Sequence, residues 1–73
     1  MTFSEYLQLE KRAEAAGIGG DSALVQLLHY VQFREAATRR FQAHMREYDA
    51  WGKALAKDVE SRIREAEAVG NAD

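Results

Sequence analysis

Cysteine and proline are both missing from this 73-residue chain, and glycine is scarce, at five in all. Without cysteine there is no disulfide and no thiolate metal site to staple a chain that is short for a single stable core. His29 and His44 are too few and too far apart to build a structural metal site by themselves. No strongly apolar run exceeds three residues, as in Ala23-Leu24-Val25, so nothing resembles a membrane span or the core of a signal peptide. A cytoplasmic protein is the expectation.

Charge of one sign is also lacking. The net charge is −2, divided as −1 over residues 1–20, +1 over 21–48 and −2 over 49–73. That balance does not favour an electrostatic nucleic-acid partner. Catalytic equipment is thin. There is no cysteine nucleophile, and Ser4, Ser22 and Ser61 fall on helix ends or exposed faces. Gly17, Gly19 and Gly20 read as helix stop and turn, not as a phosphate cradle. The expectation is no enzyme, no cofactor, no metal and no small-molecule substrate.

What the chain has is helix. Thr2 followed by Glu5 is a capping-box spacing. Phe3, Tyr6, Leu7, Ala13 and Ala16 then form one apolar stripe, and Gly17 suits a left-handed stop. A first helix over about 3–16 and a turn over 17–21 follow. Asp21 or Ser22 caps what comes next. From Asp21 to Val69 there are 49 residues with Gly52 as the only glycine, which predicts one long helix over about 22–69 and a frayed tail over 70–73.

Residues 23–33 are apolar except for Gln26, His29 and Gln32, so most of that circumference must be covered. Beyond it a heptad-like seam continues. Its core or dimer positions are Leu24, Leu27, Leu28, Val31, Phe41, Met45, Leu55 and Val59, with Gly52 as a close-approach residue. Four acid-before-base pairs at i,i+4 line the outer faces: Glu35–Arg39, Asp49–Lys53, Asp58–Arg62 and Glu60–Arg64.

A helix of that length is a rod of about 70 Å, whereas a compact chain of this size is about 30 Å across. Its apolar side cannot be covered by its own chain. The reading is therefore an all-α, single-domain protein, a short helix folded against one long helix, straight or bent near Gly52, in a parallel or antiparallel homodimer. A break at Gly52 into a three-helix monomer is the alternative.

A second line, Phe33, Arg40, His44, Tyr48 and Trp51, runs about 100° from the seam on such a helix. Arg, Tyr and Trp are enriched at interface hot spots, so this line is the candidate surface for a protein partner, with self-packing as the competing reading. The functional expectation is a small non-enzymatic regulator that sequesters or inhibits a larger protein by stoichiometric binding, of the kind a bacterial, phage or plasmid accessory factor would be. One alternative is a dimeric nucleic-acid-associated regulator using the basic stripe Arg39, Arg46, Lys53, Lys57 and Arg64. Another is a structural subunit of a larger assembly.

Overall fold

A computed structural model describes residues 1–70; of the tail expected to fray over 70–73, Gly70 is instead the last residue of a helix and 71–73 lie outside the described residues. The described chain is all helical: α1 (Phe3–Ala15), α2 (Ser22–Ala36), the single turn α3 (Arg39–Gln42) and α4 (Arg46–Gly70).

Both ends of α1 are set by local hydrogen bonding. Thr2 and Glu5 exchange side-chain and backbone bonds in a complete capping box. At the other end Gly17 takes φ +83°. There the Ile18 amide donates to the Ala13 carbonyl at 2.8 Å and the Gly17 amide to Glu14 at 3.0 Å. These are the two bonds of a Schellman closure. Ile18 is thereby turned back against the core. Asp21 then caps α2 by accepting from the Ala23 amide at 2.9 Å.

The long helix expected over 22–69 does not form as one piece. It stops at Ala36, turns through Ala37 and Thr38, makes the one turn of α3, and restarts at Arg46. It does not break at Gly52, which sits inside α4. Thr38 supplies the start signal for α3, its side chain accepting from the Phe41 amide. The Gln42 side-chain amide donates back to the Ala37 carbonyl at 2.8 Å. The physical reason for the fold-back is the one that makes a straight rod costly: α4 now lies antiparallel to α2 and covers its apolar face within the same chain. Asp21 of the α2 cap meets Arg62, while Arg34 at the far end of α2 meets Asp49 at the start of α4.

The third wall is α1. It runs alongside α4, with Arg12 reaching Glu67 at 3.1 Å and Glu60 at 3.9 Å. Its first amide, that of Phe3, donates to Glu35 on α2 at 3.0 Å. The core between the three is one cluster of Tyr6, Ala13, Ala23, Leu24, Leu27, Tyr30, Val31, Leu55, Val59 and Ile63. The bundle is elongated, 51 × 18 × 16 Å, because α4 alone is about 37 Å long. No helix among the described residues is long and apolar enough to cross a membrane.

Candidate functional site

The fold-back gathers aromatic side chains at the α2–α4 turn. Tyr30 and Phe33 come from the last two turns of α2, Phe41 from α3, and Tyr48 and Trp51 from the start of α4. Their rings form a connected set: Phe41 to Phe33 at 5.9 Å, Phe33 to Tyr48 at 5.3 Å, Tyr48 to Tyr30 at 5.0 Å and Tyr48 to Trp51 at 5.4 Å. Spacings of this kind, tilted or edge to face, are those aromatic pairs prefer. Tyr30 is buried and Tyr48 half-buried. Phe33 and Phe41, each 49% exposed, and Trp51, at 42%, stand out as an open ridge.

Beneath the ridge is a polar clamp. The Tyr30 hydroxyl donates to Asp49 Oδ1 at 2.7 Å, and Arg34 Nε donates to the same oxygen at 2.9 Å. Burial, and then the bond to Asp49, push the Tyr30 phenol up to about 12. The Tyr30 bond, with Arg34 behind it, holds the Asp49 carboxyl below its usual range. The Tyr30 ring lies across Gly52, where an added methyl group would overlap it. The glycine is a slot for the ring and not a hinge. An open groove beside the clamp is lined by Glu5, Arg34, Asp49, Lys53, Lys57 and Glu60, a mixture of signs that selects no single ligand chemistry.

The predicted line Phe33, Arg40, His44, Tyr48 and Trp51 needed an unbroken helix. The turn at residues 37–45 removes that geometry. Phe33, Tyr48 and Trp51 are still brought together, by folding instead of by helical spacing, while Arg40 and His44 move onto the exposed connecting segment. Tyr30 and Phe41 join the set in their place. Of the predicted core or dimer positions, Leu24, Leu27, Val31, Leu55 and Val59 are buried in the cluster, and Leu28 packs against it half-buried. Met45 is buried immediately before α4. Phe41 is the exception: the turn carries it out to the ridge.

The expected ion pairs divide the same way. Asp58–Arg62 and Glu60–Arg64 form within α4. Asp49 pairs with Arg34 in place of Lys53, and Glu35 receives the Phe3 amide. The basic stripe loses Arg39 to α3, whereas Arg46, Lys53, Lys57 and Arg64 keep one exposed face of α4. Among the described residues no three His, Cys, Asp or Glu side chains gather as metal ligands would. No protein-family model, curated protein or solved structure matches this chain.

Proposed function

We propose that this protein works without catalysis, as a small regulator that binds a larger protein stoichiometrically through the aromatic ridge. The observation that carries the reading is the open packing of Phe33, Phe41 and Trp51. Three large rings left about half exposed at one place, joined through Tyr48, forgo the burial that Leu24, Leu27, Val31 and Ile63 have in the core. Exposed apolar patches of this kind mark interaction sites, and aromatic anchors beside arginine are the usual hot-spot chemistry. The polar groups that come together here, Tyr30, Arg34 and Asp49, are occupied with one another. Their arrangement is that of a clamp that holds α2 to α4.

Capture from the native host tests the reading. A protein retained by the wild-type chain is lost from the Arg40→Ala, Trp51→Ala double variant, while circular dichroism shows that variant still folded. If Trp51→Ala melts the chain, the ridge is core and the partner docks elsewhere.

Self-association is a second reading, favoured by apolar side chains exposed on α1 and α2. Phe3 and Leu7 stand one turn apart on α1, 36% and 42% exposed, and Val25 on α2 is 44% exposed. A homodimer through these side chains, in place of the rings of the ridge, leaves the ridge free for a partner. Sedimentation equilibrium then returns about twice the 8.2 kDa chain mass, and a clean 8.2 kDa species rejects the dimer.

A further inference from the structure

The seven arginines fall into two groups. Arg12, Arg34, Arg62 and Arg64 each sit in an ion pair with a carboxylate of this chain. Arg39, Arg40 and Arg46 make none among the described residues, and all three are exposed. Those three lie within eight residues of one another, Arg39 and Arg40 on the connecting segment that also carries the exposed Phe41 and Arg46 at the first position of α4. Resting on the ridge as the contact surface, we propose that its occupant is an acidic amphipathic segment of the partner protein. Its apolar side chains would lie on Phe33, Phe41 and Trp51, and its carboxylates would meet Arg39, Arg40 and Arg46.

Charge distribution supports that occupant over others. From residue 33 to 53 there are five Lys and Arg to three carboxylates, and two of those three, Glu35 and Asp49, already accept bonds within the fold. Elsewhere the chain carries nine carboxylates to five Lys and Arg. The arginines without an ion pair among the described residues are therefore gathered at the α2–α4 turn, while Lys53, Lys57 and Arg64 continue along the exposed face of α4. Along α4 beyond Lys57 the arginines are already paired with carboxylates of this chain, Arg62 with Asp58 and Asp21 and Arg64 with Glu60, so a phosphate backbone would find no free arginine there among the described residues. A second copy laid ridge to ridge would set three arginines against three, and like-charge juxtaposition across an interface is costly. A carboxylate-bearing segment has neither problem, and the planar guanidinium fork matches a carboxylate bidentately.

The test uses four labelled helical peptides of about 16 residues, long enough for four turns. Three carry leucine and tryptophan at i, i+4 spacing with glutamate, glutamine or lysine on their polar faces. The fourth keeps the glutamates and replaces its apolar side chains by serine. Anisotropy with the full chain in about 0.1 M salt, where the screening length is about 10 Å, gives the affinities. The glutamate amphipathic peptide is expected to bind about tenfold more tightly than the glutamine peptide, and the lysine and serine peptides more weakly still. Arg39→Glu, Arg40→Glu and Arg46→Glu together should invert the order toward the lysine peptide, with an unchanged circular dichroism spectrum. Phe33→Ser with Phe41→Ser should remove binding of every peptide.

Equal binding of the three amphipathic peptides, lost in the double serine variant, overturns the acidic preference and leaves the ridge as a contact surface. Binding of none overturns both. Tighter binding of single-stranded oligothymidine of about a dozen nucleotides, with steep salt dependence, overturns the proposal in favour of nucleic acid. A Trp51 emission that moves to the blue as protein concentration rises overturns it in favour of a second copy.

Discussion

The two ends of this bundle are built by different rules. At the closed end, Leu24, Leu27, Val31, Val59 and Ile63 are enclosed by α1, α2 and α4, each at most 3% exposed. The charges around that core bridge helices: Arg12 to Glu60 and Glu67, and Arg62 to Asp21. At the open end the exposed apolar groups are aromatic and cover one another only in part, and Arg39, Arg40 and Arg46, on or next to the connecting segment, pair with no carboxylate among the described residues. The core side chains and bridging arginines of the closed end have satisfied their chemistry inside the chain, although Val25 and Val69 stay exposed there. Those of the open end have satisfied half of it, and the Tyr30–Asp49 clamp is the boundary between the two. The contrast separates what keeps the chain folded from what is left over for contact.

The largest effect should come from the closed end. Leu27 has no exposed surface, and removing three of its carbons leaves a cavity in a core with few spare contacts. Leu27→Ala should cost about 2–5 kcal/mol. A core of this size supplies on the order of 3–5 kcal/mol in total, so thermal denaturation should show the variant largely unfolded at room temperature. A sharp, unshifted transition would mean that stability resides elsewhere, and the contrast between the ends would fail.

The boundary is tested next, at Gly52. Alanine there gains about 1 kcal/mol of helix propensity but meets the Tyr30 ring, and overpacking typically costs about 1–3 kcal/mol. The net result should be a loss. In a Tyr30→Ala background the ring is gone, so Gly52→Ala should become neutral or stabilising. Urea denaturation of the four proteins of that cycle reads the coupling directly. If Gly52→Ala stabilises the wild-type chain, the glycine is not a slot.

How much of this was legible in the sequence depends on where the instructions are local. Thr2, Glu5, Gly17 and Asp21 act on neighbours two to five residues away, so the limits of α1 and the start of α2 could be read. The α2–α4 turn could not. Ala37 adopts φ −67°, ψ 138° and Thr38 φ −67°, ψ 156°, conformations open to any residue, so the turn needs neither glycine nor proline and leaves only a threonine cap as its mark. The buried positions Leu24, Leu27, Val31, Leu55 and Val59 were visible as a periodic stripe, but periodicity says which face is covered and not what covers it. The same stripe serves a dimer seam or a folded-back hairpin. Gly52 was ambiguous for a similar reason, since a bend and a ring contact both ask for a missing Cβ. Of the ridge, Phe33, Tyr48 and Trp51 were on the predicted line, but the meeting of the α2 rings with Phe41 and the α4 rings comes only after the turn is made.

A smaller effect should appear at high pH. Burial holds the phenols of Tyr6 and Tyr30 at about 12, against an ordinary value of 10.0. The folded state therefore favours the neutral phenol more than the unfolded state does. That contribution to stability is complete below pH about 10 and is lost as pH rises through about 12. Helical ellipticity should fall over that interval, together with late phenolate absorbance at 295 nm. Tyr30→Phe should remove one late-titrating group and also the clamp bond to Asp49. A Tyr30 that ionises near 10 would place its hydroxyl in solvent and dissolve the boundary between the ends.

The smallest effect should be at Phe41, and its smallness is the point. The side chain is 49% exposed and its one aromatic neighbour is Phe33, edge to face at 5.9 Å. Such a pair contributes about 0.5–1.5 kcal/mol beyond area burial when well packed, and half exposure puts Phe41 at the lower end. Phe41→Ser should lower the melting temperature by a few degrees, on a scale of roughly 4–8 °C per kcal/mol for a domain of this size. A drop comparable to that of Leu27→Ala would make the connecting segment part of the core and leave the ridge with no surplus for a partner. A near-silent Phe41→Ser that also abolishes peptide binding separates the two ends as cleanly as one substitution can. The ring would then contribute little to the fold and much to the contact.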